Sequence, residues 1–243
     1  MAERMRLDKL LANAGLGSRR EVREWIKKGF VTCDGELVRQ PDLQVDTDCD
    51  ICCKGQPVQY QKYHYLMMNK PAGYVSANED RRDATVMELL TEPWSNLELF
   101  VAGRLDKDTE GLLLLTNNGV FAHNMLAPKK HVPKTYYAQV RGVVTLEDVE
   151  LFRTGVTIDG GYTCMSASLE VLEAAEISQI HLTICEGKFH QVKRMMEAVG
   201  KPVLYLRRIA IGGLRLDETL PLGEVRPLTR QEVLSVGATL GEK

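Results

Sequence analysis

Residues 103–119 read Gly103-Arg104-Leu105-Asp106-Lys107-Asp108-Thr109-Glu110-Gly111-Leu112-Leu113-Leu114-Leu115-Thr116-Asn117-Asn118-Gly119. A polar loop with three acids runs into four consecutive leucines, and Phe100-Val101-Ala102 precedes it. Two short apolar runs of this kind read as buried strands. The loop between them therefore has both ends fixed by a core. Asp106-x-Asp108-x-Glu110-Gly111 begins like a calcium loop, but an EF-hand needs a bidentate Glu at its twelfth position and a helix after it. That position is Asn117, in a turn after a strand. A glycosidase needs an acid and a base on opposite sides of a sugar, and nothing singles out a second partner. A solvated β-turn stays open as the plain reading.

On either side of this segment, Tyr65 to Met68, Lys134 to Val140 and Ser178 to Cys185 read as further strands. Thr85 with Glu88 and Thr145 with Asp148 carry the spacing of helix caps. Asn117-Asn118-Gly119 reads as a turn. Strands outnumber helices and do not alternate with them regularly. The spacing predicts an α+β domain on a mixed, largely antiparallel sheet flanked by helices rather than a doubly wound one.

The first sixty residues read as a separate small unit. Leu7, Leu10, Leu11 and Ala14 follow the period of an amphipathic helix, which Gly15 and Gly17 end. Ser18 and Glu21 form a capping box for a second helix whose apolar face is Val22, Trp25 and Ile26. At ~100° per residue, Arg19, Arg20, Arg23 and Lys27 fall on a different arc, so one face packs while another presents four cations. Val31-Thr32-Cys33 meets Asp34-Gly35, a hairpin signal, and short strands continue through Ile51 and Val58. Gly55 to Lys62 reads as a linker. The expected division is 1–60 and 61–243.

Composition sets outer limits. The chain has 243 residues, 44% hydrophobic and 26% charged, which excludes wholesale disorder and a disulfide miniprotein. No apolar run approaches the ~20 residues of a membrane span, and Met1 to Arg6 leads into no signal region. The expectation is a cytoplasmic protein that does not engage membranes. Six cysteines are expected as free thiols. Cys49, Cys52 and Cys53 have partial metal-ligand spacing but lack a second well-spaced pair, so no metal is expected. Net charge is −2, yet residues 180–215 carry seven basic residues against two acids and residues 126–145 carry four against none. Such zones suit a phosphate-bearing partner or a patchy solvated surface equally.

Two resemblances sharpen this reading. Arg6-Leu7-Asp8-Lys9-Leu10-Leu11, Gly17-Ser18-Arg19-Arg20 and Gly29-Phe30-Val31 through Asp34-Gly35 resemble the S4 RNA-binding domain. That implies RNA contacts from Arg6, Lys9, Ser18, Arg19, Arg20, Arg23 and Lys27. The 103–117 segment is similar to the catalytic motif of the RsuA/RluB/E/F-type pseudouridine synthases. Asn69-Lys70-Pro71-Ala72-Gly73, Lys134-Thr135-Tyr136 and Glu186-Gly187-Lys188-Phe189-His190-Gln191-Val192-Lys193-Arg194-Met195 resemble that family's other motifs, in the expected order. The His-Gln-Val-Lys form is most similar to the subgroup acting on small-subunit (16S) ribosomal RNA.

The resemblance implies an isomerase that turns uridine into pseudouridine without cofactor or metal. Asp106 would attack C1′ or take a proton from C2′. Lys193 would keep it charged, since burial alone would silence it. The helix pattern permits this, because Lys193 borders the apolar stripe Val192, Met195, Met196, Val199. Tyr136 would stack on the uracil and help remove the C5 proton. Lys70, Arg104, His190 and Leu206 are implied substrate contacts, Arg104 alternatively a loop brace and Ile209 an alternative to Leu206. Lys129, Lys130, Arg207 and Arg208 would contact phosphates while the target base flips out. The expected partner is ribosomal RNA, bare or within an assembling small subunit, and the expected state is a monomer. The competing readings are a large-subunit enzyme of the same family and a non-catalytic S4-type RNA-binding protein.

Overall fold

The computed structural model describes residues 3–238. It divides into two compact units, one running to His64 and including Leu90–Leu99, the other formed by Tyr65–Leu89 and the chain from Phe100 onward. The place of Leu90–Leu99 in the first unit departs from the expected division. It is held there by Asn96 Nδ2 donating to the Gly15 carbonyl (3.2 Å) and by Trp94 meeting the His64 ring edge-on.

The first unit contains β1 (Arg4–Arg6), α1 (Leu7–Asn13), α2 (Arg19–Lys27), β2 (Val31–Cys33), β3 (Glu36–Val38), β4 (Gln44–Asp46), β5 (Ile51–Cys53) and β6 (Gln56–Pro57). The capping box at α2 forms as expected: Glu21 N–H donates to Ser18 Oγ and Ser18 N–H to Glu21 Oε2. Leu7, Leu10, Leu11, Val22 and Ile26 are fully buried against Val31 and Ile51. Val58 is not in a strand; its N–H bonds the Ile51 carbonyl just beyond β6. All six cysteines are free thiols.

The second unit contains β7 (Tyr65–Lys70), β8 (Phe100–Ala102), β9 (Glu110–Thr116), α3 (Gly119–Leu126), β10 (Lys134–Arg141), α4 (Leu146–Thr154), β11 (Thr157–Ile158), β12 (Tyr162–Thr163), β13 (Ser168–Glu173), β14 (Ile177–Ile184), α5 (Gln191–Ala198), β15 (Val203–Ile211), β16 (Leu214–Arg215), β17 (Val225–Pro227) and α6 (Arg230–Ser235). Its large sheet has the order β13-β14-β10-β15-β9-β7-β17, with β8 on β9 and β16 on β15. Every pairing is antiparallel except β9 with β15. The sheet is thus mixed and largely antiparallel, in an α+β fold. Leu112 to Leu115 lie at its centre with at most 1% exposure.

Two local expectations change. Thr85 and Glu88 pair as a cap, but they open only a single 3-10 turn, Val86–Leu89. Asn118 is the cap of α3, its side chain accepting from the N–H groups of Val120 and Phe121, rather than the middle of a turn.

Candidate active site

Residues 103–109 join β8 to β9, two paired strands. Thr109 N–H donates to the Asp106 carbonyl (3.1 Å), closing a tight turn. Gly111 sits at φ +99° where β15 passes alongside, and a Cβ there would collide with the Arg208 carbonyl. Only glycine lets the strands approach this closely.

Two buried cations hold the loop from beneath. Lys70, at the end of β7, is fully buried; its ammonium donates to the carbonyls of Pro71 (2.9 Å), Lys107 (3.2 Å) and Thr109 (2.8 Å). Arg208 on β15 is 1% exposed and donates to Gly103 and Leu112, both at 2.8 Å. Ser76 donates to the Leu105 carbonyl (2.8 Å) and accepts from its N–H (3.1 Å); Gly73 N–H donates to Lys107. Buried charges are tolerated when hydrogen-bonded, and here the acceptors are the loop's own backbone. Burial pushes the Lys70 ammonium down to about 8, against the pull of Asp108, Glu110 and Asp106.

This corrects two expectations. Lys70 has each of its three protons on a carbonyl, so it braces the loop and does not face a substrate. Arg208 is sealed from solvent and cannot meet a phosphate. Arg207 pairs with Glu218 at 3.2 Å. Lys129 and Lys130 remain exposed.

Asp106 stands on this platform, about a quarter exposed. Lys193 Nζ lies 3.4 Å from its Oδ2 and His190 Nε2 3.6 Å from its Oδ1. Both come from one place, the start of α5. There Glu186 accepts from Tyr162 Oη (2.5 Å), Met165 N–H (2.8 Å) and Gln191 Nε2 (2.9 Å), and Gln191 Oε1 accepts from Lys188 N–H. The network fixes the turn into the helix. Val192, Met195 and Met196 pack inward, so Lys193 sits at the margin, as the stripe predicts. Arg194 turns away to Asp159. His190 has left-handed backbone (φ 50°), uncommon for a non-glycine residue and often found at functional sites.

Sequence reasoning passes over two residues here. Asp108 Oδ1 lies 2.6 Å from Lys193 Nζ, nearer than Asp106 does. Burial works upward on its carboxyl, but the Lys193 hydrogen bond and charge outweigh that and hold it below the usual range. Its position two residues after Asp106 across a turn is the available signal. Phe189 is 72% exposed, its ring stacked on His190 at 3.8 Å.

Tyr136 is buried on β10 opposite Arg208, and Leu206 is buried opposite Ala138. Cross-strand partners point to the same face. Tyr136 and Leu206 therefore share the side from which Arg208 reaches the 103–109 loop. Ile209 is on the other face, lining a cleft of about 490 Å³ with Thr135, Thr183 and Arg215, so it does not share the Leu206 side. Arg104 is exposed and makes no hydrogen bond or ion pair among the described residues, so it is not a loop brace.

In the first unit, Arg6, Arg19, Arg20, Arg23 and Lys27 line one cleft, together with Asp8 and Glu24. Lys9 is exposed. Ser18 is committed to Glu21, donating to its Oε2 at 2.6 Å, and serves α2 as a cap rather than standing free for RNA. Among the described residues no group of three His, Cys, Asp or Glu side chains is placed to hold a metal ion. None of the described helices is long and apolar enough to cross a membrane.

Residues 64–198 match the model of the RNA pseudouridylate synthase family, and residues 5–51 match that of the S4 domain. The chain belongs to the RNA pseudouridylate synthases. It is 50% identical over 231 residues to the uncharacterized RNA pseudouridine synthase YtzG of Bacillus subtilis (strain 168), covering 94% of this chain and 97% of that protein. It is 40% identical over 235 residues to the ribosomal small subunit pseudouridine synthase A of Escherichia coli (strain K12), covering 96% and 100%. A crystal structure of a pseudouridylate synthase superposes with a TM-score of 0.68 at 35% identity, over 96% of this chain and 99% of that one. The protein is therefore an isomerase of this family with an S4 domain before its catalytic fold.

Proposed function

We propose that this synthase isomerises a uridine of small-subunit ribosomal RNA, in the cytoplasm and as a monomer, using Asp106 as its reacting carboxylate. The observation that carries the chemistry is the pairing of Asp106 with Lys193 and His190 on a loop fixed by buried cations. The full-length likeness to the Escherichia coli small-subunit enzyme supports the choice of RNA.

The N1–C1′ bond breaks, the uracil turns, and C5 bonds to C1′; the C5 proton leaves and N1 gains one. No atom is gained or lost. Asp106 starts this by attacking C1′ or by taking the C2′ proton to give a glycal, and either route needs a carboxylate free of its proton. Lys193 is the counter-ion and His190 a second polar partner. Tyr136 stacks on the uracil and assists loss of the C5 proton, with Leu206 beside it. Arg104 and Phe189 contact the flanking RNA, Phe189 by base stacking, which is sequence-tolerant. The S4 domain supplies phosphate contacts that offset the few kcal/mol of base flipping.

Tritium release from RNA labelled at uridine C5 tests this. Wild type should release tritium and Asp106→Asn none. If both bind RNA and neither releases tritium, the protein is a non-catalytic RNA binder. Carbodiimide mapping of pseudouridine in ribosomal RNA from cells with and without the gene decides between small- and large-subunit targets.

A further inference from the structure

The cleft of the S4 domain holds a carboxylate where a nucleic-acid surface would be expected to exclude one. Asp8, in the first turn of α1, is fully buried at the base of a cleft of about 580 Å³ that it lines with Arg6, Arg19, Arg20, Arg23 and Lys27 and one further acid, Glu24. Arg6 donates to both of its oxygens, Nε to Oδ1 at 3.0 Å and Nη2 to Oδ2 at 2.8 Å. Arg23 Nε approaches Oδ2 at 3.7 Å and Arg19 Nη2 approaches Oδ1 at 4.0 Å. Three guanidinium groups thus converge on one anion while their own side chains stay 39–58% exposed. Burial opposes the charged form of Asp8, but hydrogen bonds and charge from Arg6, with Arg19, outweigh it and hold the carboxyl below the usual range.

Building on the RNA-binding role of this domain, we propose that Asp8 is a positioning residue that gathers Arg6, Arg19 and Arg23 into a fixed fork for one backbone phosphate of the RNA. Two effects of removing it oppose each other. Deleting a negative charge raises the positive potential of the cleft, which favours RNA. Losing the common anchor lets three like charges splay, and each must then be immobilised anew when phosphate binds. A phosphate gripped from the solvent side lies roughly two ion-pair lengths from Asp8, about 7 Å. That is close to the ~8 Å Debye length at physiological salt, so the charge effect is partly screened. The fork acts at contact distance, where bidentate guanidinium geometry matters most. The anchor effect therefore wins, and the sign of the result is opposite to that of net charge.

The test is equilibrium binding of the full chain to a small-subunit ribosomal RNA transcript across a salt series. Asp8→Asn, although it removes a negative charge from the cleft, should weaken binding by about tenfold. The slope of log K against log salt should become shallower by about one phosphate contact, ~0.7–0.9. Equal or tighter binding with an unchanged slope overturns the proposal. Because a buried substitution can disturb folding, Arg19→Lys/Arg23→Lys provides a second arm at exposed positions. It keeps the charge and removes the forks, so a similar loss is expected, and wild-type binding overturns the idea. On that background only Arg6 is left in the fork on Asp8, so Asp8→Asn should add less than its full loss; a fully additive loss marks Asp8 as merely structural. Inorganic phosphate at matched ionic strength should not displace the RNA, and competition would make the cleft a free-anion site instead. Binding needs no turnover, so absence of tritium release by wild type would refute the isomerase reading without touching this result.

Discussion

Asp106 and Asp8 are both carboxylates set among cations, yet the two regions are built in opposite order. At the 103–109 loop the buried groups are the cations Lys70 and Arg208, and the carboxylate stands above them, about a quarter exposed. In the S4 domain the carboxylate is buried and its arginines face solvent. What is buried is fixed, and what remains exposed is free to act. Under the proposed function the first arrangement presents an anion to a reacting carbon, and under the further proposal the second presents cations to a phosphate.

The sharpest way to break this contrast is to neutralise each carboxylate in turn. Asp106→Asn keeps the volume and should abolish tritium release while leaving RNA binding within about twofold, because the loss is chemical. Asp8→Asn should do the reverse to binding. If Asp106→Asn instead weakens RNA binding as strongly as it slows turnover, the loop is a binding element and the contrast fails.

Next in size is the counter-ion. Lys193→Met leaves Asp106 without its ammonium in a partly desolvated site, and truncating one member of such a pair costs about 2–3 kcal/mol when it is not fully buried. Turnover should fall about a hundredfold in single-turnover assays, with KM nearly unchanged. Lys193 is shared with the more exposed Asp108, so Asp108→Asn releases it to Asp106 and should cost far less. A larger loss from Asp108→Asn than from Lys193→Met would reverse the two carboxylates' roles.

The brace gives a pH signature. Lys70 titrates at about 8 in the folded protein, below the ~10.4 of an unfolded lysine. Between those values the unfolded chain holds more protons than the native one, so this group makes stability rise with pH. A neutral amine has two N–H donors for three carbonyls, so the loop loosens as the proton leaves. Turnover should fall as pH rises past about 8 without a matching fall in melting temperature. Lys70→Met should be slower at every pH and lack this limb; if it keeps the limb, the titrating group lies elsewhere.

How much of this is legible in the sequence differs by kind of signal. The 103–109 loop can be read because its charges lie between runs that only a core accepts. The caps at Ser18–Glu21 and Thr145–Asp148 can be read because both partners of each box are local. Helix α3 cannot, because Asn118-Gly119 signals a turn and a cap with the same residues, and the choice rests on Phe121 and Met125 finding a core. Arg208 reads as a surface cation because strand register is not local: its burial comes from β15 lying between β9 and β10. Lys70 belongs to the expected site through a different contact. Sequence places it beside the motif, but only the loop's course shows three carbonyls converging on it.

Phe189 should matter least. An exposed phenyl ring costs solubility and, at 72% exposure, contributes little to packing. It is stacked on His190, whose imidazole approaches Asp106, so a base laid on Phe189 would sit one ring away from the imidazole beside Asp106. Stacking of one base on an aromatic side chain is worth ~1–3 kcal/mol, and part of that is already met here by His190. Phe189→Ala should therefore raise KM about tenfold with kcat changed less than threefold, whereas Phe189→Tyr and Phe189→Trp should restore it, since each offers an equal or larger π face. Steady-state tritium release resolves the two constants. A fall in kcat at unchanged KM would mean that the ring supports His190 rather than the RNA, and would move Phe189 from the binding side of the contrast to the catalytic one.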